Sequence, residues 1–180
     1  MKRRTTWLWF LIATCSFAAP QDAGWKKTVT ETIPLYGHRN WIVIADSAYP
    51  DQSAAGIETI VSGADQIEVL KFVLAKLVQS PHVSPTVYTD RELNYLDDKD
   101  APGISAYRDQ LATLLKDRHT QTLPHEQIIA KLDQVSRAFH VLIVKTTLAL
   151  PYTSVFMQLD CAYWPSDAEK RLRERMGSEK

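Results

Sequence analysis

Two short runs constrain this chain most. Trp41 to Ala45 (Trp-Ile-Val-Ile-Ala) and Val141 to Val144 (Val-Leu-Ile-Val) are apolar at every position and rich in β-branched residues. A strand with one wet face alternates polar and apolar residues. A run without alternation reads as a strand covered on both faces, which requires helices above and below one sheet. The rest of the chain supplies such helices. Ile67, Leu70, Leu74 and Leu77 repeat at helical spacing, opened by Asp65 with Glu68 three residues on and stopped at Ser80-Pro81. Ile104, Tyr107, Leu111 and Leu114 form a second apolar face, and Ile128, Leu132 and Val135 a third, begun at Pro124. Further strands are predicted at Ile57 to Val61, ended by Gly63, at Pro85 to Thr89 and at Tyr152 to Leu159. The predicted fold is an α/β three-layer α/β/α sandwich over residues 33–162.

The flanks read differently. Residues 19–32 are polar and uneven, as in a linker or arm, the charged stretch 90–102 reads as a surface loop long enough to be mobile, and 163–180 as a charged tail, either a solvated short helix or a disordered end. At the N-terminus, Lys2-Arg3-Arg4, the apolar run Trp7 to Thr14 and the small-residue site Ser16-Phe17-Ala18 follow one another as in a secretory signal peptide over residues 1–18, giving a secreted or periplasmic protein. Ile12-Ala13-Thr14-Cys15 also has the form of a lipobox, the minority alternative being a lipid anchor at Cys15.

Charge is balanced, with 21 basic and 21 acidic residues, so no basic surface for nucleic acid is expected, and past the leader no apolar run reaches membrane-spanning length. Cys161 is the one cysteine beyond the leader, which leaves no internal disulfide. Zinc-ligand spacing, glycine-rich phosphate loops and Gly-x-Ser-x-Gly elbows are all missing from the sequence, so cofactor-free and metal-free chemistry is expected.

The polar residues at the ends of the first apolar run are the first site candidates. Asp46 stands just past the strand, where open α/β sheets bind ligands. It equally suits a cap on the turn into Ser47 and Pro50. His38 stands before the strand. At about 3.3 Å per residue the two are roughly 26 Å apart if the segment is straight, so they share a site only if the chain bends or neighbouring subunits contribute them.

The segment Gly37-His38 through Ile44-Ala45-Asp46-Ser47-Ala48-Tyr49-Pro50 resembles the signature of the D-ribose pyranase and L-fucose mutarotase family, a Gly-His, a hydrophobic strand, then Asp-Ala-Gly-Leu-Pro or a close variant. Pro124-His125-Glu126-Gln127 is similar to the family's segment that opens the helix before the last two strands. Val144-Lys145-Thr146-Thr147, followed by Pro151-Tyr152-Thr153-Ser154, is similar to its Ile-Arg-Ser/Thr-Gly-Glu and Pro-Tyr-Ala-Asn stretch. The similarity runs in family order from about residue 33 to 160. It implies a mixed, largely parallel sheet, a free ribose- or fucose-like monosaccharide as ligand, no cofactor, and a homo-oligomeric pentamer or decamer with sites between subunits. It assigns His38 as the catalytic proton donor and acceptor, and Asp46, His125, Tyr152, Ser154 and Lys145 as substrate-binding residues. The departures are Ser47-Ala48-Tyr49, Lys145 for Arg, Leu148 for an acidic residue and Ser154 for Asn.

Exchange of anomers, or of pyranose and furanose rings, needs a proton taken from the anomeric hydroxyl and one given to the ring oxygen, work an imidazole does at neutral pH. Asp46 would accept sugar hydroxyls and orient a nearby imidazole. His125, in the first turn of its helix, meets the positive end of the dipole and suits a neutral hydrogen-bonding role. Tyr152 offers a hydroxyl and an apolar face. His82, His119 and His140 read as surface or packing residues. The alternatives are a non-catalytic sugar-binding or scaffolding protein on the same fold, and an aspartyl-phosphate hydrolase using Asp46, which the Ala48 at the place of its second Asp disfavours.

Overall fold

A computed structural model describes residues 22–178; the leader and the cysteine of its lipobox lie outside the described residues. Six strands make one sheet: β1 (Trp41–Ala45), β2 (Ile57–Val61), β3 (Val83–Asp90), β4 (Thr120–Leu123), β5 (Val141–Lys145) and β6 (Val155–Cys161), in the order β2-β5-β1-β6-β3-β4. Only β6 runs against the others, pairing antiparallel with β1 and β3, so the sheet is mixed and largely parallel. The two apolar runs, β1 and β5, lie side by side in its interior, and all five β1 residues are buried.

Successive residues of β1 enter opposite cores, as a period of two demands. Ile42 and Ile44 pack in a layer with α1 (Asp22–Thr32), α2 (Gln66–Val78) and α3 (Ile104–Leu115). Trp41, Val43 and Ala45 pack with α4 (His125–Val135) through Ile128 and Leu132. This is the three-layer α/β/α arrangement expected from unbroken apolar strands. Asp65 caps α2 by accepting the backbone N–H groups of Ile67 and Glu68 at 2.8 and 3.4 Å. Gly56 is required by close approach, because a Cβ there would collide with the Ser136 and Phe139 carbonyl oxygens where the chain leaves α4 for β5.

Several elements differ from the sequence reading. Residues 22–32, expected as a linker or arm, form α1, whose Trp25 and Val29 are buried in the core. The expected mobile loop at 90–102 is instead built: Arg91–Tyr95 is a 3₁₀ turn with Leu93 buried, Ala101 is buried, and Arg108 on α3 donates to the Leu93 and Leu96 carbonyls at 3.0 Å. β4, Thr-Gln-Thr-Leu, is a polar edge strand with no apolar signal. Tyr152 and Ser154 belong to the turn before β6, not to the strand. The charged end takes the first of its two expected forms, a solvated short helix: α5 (Ser166–Gly177) has no buried residue and carries Arg171–Asp167 and Arg173–Glu169 ion pairs at 2.6 Å.

A buried polar knot ties the layers together at one end of the sheet. The Gln66 side chain, fully buried at the start of α2, donates to the Tyr107 hydroxyl at 2.8 Å and to the Thr153 carbonyl, and accepts from the Thr146 hydroxyl at 3.2 Å. Tyr107 donates to the Thr153 carbonyl at 2.7 Å, and Thr146 to the Ala45 carbonyl at 2.9 Å. Gln66→Leu is therefore expected to cost about 1–3 kcal/mol in urea unfolding, the penalty of leaving buried partners short of a hydrogen bond.

Candidate active site at the carboxyl ends of the strands

β1, β3 and β4 all point their carboxyl ends the same way, and antiparallel β6 begins there. Each contributes to one region: Asp46 follows β1, Asp90 ends β3, His125 follows β4, and Tyr152 and Ser154 precede β6. A cleft of ≈ 410 Å³ opens here between the segment after β1 and the start of α4, lined by Asp46, Tyr49, Gln52, His125, Glu126 and Tyr152 among others, with no Lys or Arg in its wall. That volume is within the range of small-molecule sites, about 300–1,000 Å³.

Asp46 is held rigidly. Its Oδ1 accepts the Ala48 N–H at 2.9 Å and its Oδ2 accepts the Ser154 hydroxyl at 2.9 Å. The cap foreseen for it is thus present, and the remaining lone pairs of the same carboxylate face the cleft. Ser154 is buried and spends its hydroxyl on Asp46, so it supports the carboxylate and does not line the cleft. Tyr152, 40% exposed, sits in the turn with φ 56°, a left-handed conformation that non-glycine residues seldom adopt. Pro151 before it and the Gln66–Tyr107–Thr153 knot after it hold that turn. Its ring meets the His125 ring edge-on at 5.6 Å between centroids.

His125 is fixed from two sides. Its backbone N–H, unpaired by nature in a helix's first turn, donates to the Glu92 carboxylate at 3.0 Å. Its Nδ1 lies 3.0 Å from Oδ2 of Asp90, whose side chain is fully buried. Burial raises the Asp90 carboxyl to about 6, although the hydrogen bond and charge of His125 pull the other way. The sign follows: a raised carboxyl favours folding most below its ordinary value of 3.8, and that contribution is lost as pH rises toward 6. Burial likewise raises the Tyr49 hydroxyl, so it stays protonated as a donor or acceptor.

The structure brings together Asp46, His125 and Tyr152, with Ser154 behind. It does not bring His38 or Lys145 to them. His38 is exposed in the turn before β1, at the opposite end of the sheet, where Arg39 bonds the Leu159 carbonyl and Asn40 the His140 carbonyl. β1 pairs in unbroken register along its length, with His38 before its first residue and Asp46 after its last, so one chain does not join the two. Lys145 closes β5 beside Ala45 and Val61, and its side chain is not part of the cleft wall. Asp90 and Glu92, absent from the sequence reading, become visible only through the β3–β4 pairing that sets Asp90 against Leu123, two residues before His125.

No protein-family model and no curated protein sequence matches the chain. Solved structures do. RbsD of Bacillus subtilis complexed with D-ribose is 18% identical at a TM-score of 0.50, covering 73% of this chain and 89% of its own. FucU from Bifidobacterium longum is 16% identical at 0.51, covering 73% and 92%. The fucose mutarotase of Streptococcus pneumoniae in complex with L-fucose is 16% identical at 0.50, covering 79% and 96%. The chain shares their fold.

Proposed function

We propose that this protein is a cofactor-independent monosaccharide mutarotase, interconverting the anomers or ring forms of a free ribose- or fucose-like sugar. The observation that carries the reading is the convergence of Asp46, His125 and Tyr152 on one cleft at the carboxyl ends of the strands, in a fold shared with proteins solved with D-ribose and L-fucose. The wall suits a neutral sugar: Asp46 and Glu126 with no facing cation accept hydroxyls and repel a phosphate. Asp46 binds sugar hydroxyls, and Tyr152 presents hydroxyl and ring. His38, proposed as the proton donor and acceptor, reaches this cleft from an adjacent subunit of a homo-oligomeric ring. Export by the leader places the reaction in the periplasm or outside the cell.

Saturation-transfer NMR on D-ribose and L-fucose tests it: exchange between ring forms well above the uncatalysed rate is the expected result, and no acceleration with any pentose or deoxyhexose would reject it. A second reading, a sugar-binding protein without turnover, is favoured by the position of His38 away from the cleft of its own chain. Sugar binding by calorimetry without accelerated exchange would select it.

A further inference from the structure

We infer that Asp90 is a positioning residue for His125, fixing the imidazole proton on Nδ1 and presenting Nε2 to the cleft as a proton-accepting atom. Three observations carry this. Asp90 is a fully buried carboxylate, and its Oδ2 is 3.0 Å from Nδ1. Its other oxygen has no hydrogen-bond partner among the described residues, so the imidazole is what the buried charge is turned toward. The ring is 30% exposed and lines the cleft, while its Nε2 bonds no described protein group. A carboxylate buried on one side of an imidazole and open space on the other is the geometry that selects one tautomer and orients the free nitrogen.

The consequence is chemical. When Nε2 takes the proton of an anomeric hydroxyl, the O–H bonding pair remains on that oxygen and becomes part of the new carbonyl. The ring C–O bond breaks, with its pair leaving on the ring oxygen, which takes a proton from a second acid, and the charge gained by the ring of His125 is balanced by Asp90. The second acid is His38 of a neighbouring copy, which here keeps the donor half of the role proposed above while His125 takes the acceptor half, and in that respect the inference rests on that reading. Its geometry does not. The groups facing the pair are Asp46 and Tyr49 from the segment after β1, Glu92 from the 3₁₀ turn, Tyr107 from α3, Glu126 on α4 and Tyr152 before β6. None is a cation, so Asp90 faces His125 without a competing partner.

The test reads the ring directly. In ¹⁵N-labelled protein at pH 7.5, long-range ¹H–¹⁵N spectra of His125, assigned by comparison with His125→Gln, are expected to show a protonated Nδ1 and a bare Nε2. Asp90→Asn, nearly isosteric, should shift this tautomer balance and the ring's titration, and Asp90→Glu should partly restore them. Where D-ribose or L-fucose is exchanged, Asp90→Asn should lower kcat by about 10²-fold or more with KM little changed. A proton on Nε2 in the wild type, or Asp90→Asn spectra and kcat equal to wild type, overturns the inference. The expected tautomer without any sugar exchange leaves Asp90 as the positioning group and removes the mutarotase reading instead.

Discussion

Chains carrying His38→Ala are expected to be inactive and chains carrying Asp46→Asn to bind sugar weakly and turn over slowly, and a mixture refolded together is expected to recover roughly a quarter of wild-type exchange from the head-to-tail interfaces that pair an intact His38 with an intact Asp46. Loss of a proton-transfer group costs on the order of 10² to 10⁴ in rate, so even that partial recovery stands far above the His38→Ala chains alone. The expectation comes from geometry. His38 is exposed at the amino end of β1, whereas Asp46 is anchored at the carboxyl end of the same strand. Because His38 makes no hydrogen bond in its own chain among the described residues, its removal should leave folding and assembly intact, which circular dichroism and light scattering of each variant check. A monomer at micromolar concentration, or a mixture no more active than its parts, would separate His38 from the site. The cleft would then be left to its own groups, Asp46, His125 and Tyr152.

What could be read from the residues followed the strength of their local signals. β1 and β5 announced themselves because a strand paired on both sides and covered on both faces must be apolar at every position. With their flanking residues they carried Asp46, and His125, in the first turn of the helix begun at Pro124, was singled out by the family resemblance. Asp90 was not. It is 35 residues from His125 in the chain and the two meet only because β4 pairs with β3, and β4 is an exposed edge strand of Thr, Gln and Leu that hydrophobic periodicity cannot detect. The same logic separates Ser154 from its expected role. Sequence order put it beside Tyr152, but the turn rotates Tyr152 outward and Ser154 inward onto Asp46. Function here depends on long-range pairing in just those places where the chain carries the least local pattern.

Helix α1 is the other such place, and it sets the largest expected effect on stability. Its sequence, Asp-Ala-Gly-Trp-Lys-Lys-Thr-Val-Thr-Glu-Thr, has too few apolar residues to read as a core helix. Yet Trp25 and Val29, with Ile33 in the 3₁₀ turn Ile33–Leu35 that follows, four apart, place one stripe against α2, where Trp25 meets the Phe72 ring edge-on at 5.1 Å and Lys26 bonds Glu68 at 2.9 Å. A stripe of three large side chains, one per turn, is enough to cover that end of the core. Trp25→Ala should cost about 3–5 kcal/mol, the usual price of an emptied aromatic site, and lower the melting temperature by roughly 6–20 °C for a domain of this size. Trp25→Phe is the control: the indole N–H is buried without a hydrogen-bond partner among the described residues, so removing it relieves an unpaired donor and offsets part of the lost packing. Calorimetry of both variants separates the outcomes. If Trp25→Ala melts within 2–3 °C of wild type, corresponding to about 1 kcal/mol or less, α1 is an appendage and the sequence reading of this segment as an arm is the better one. A large loss with Trp25→Ala and a small one with Trp25→Phe makes α1 part of the domain, and any boundary drawn at residue 33 then cuts through its core.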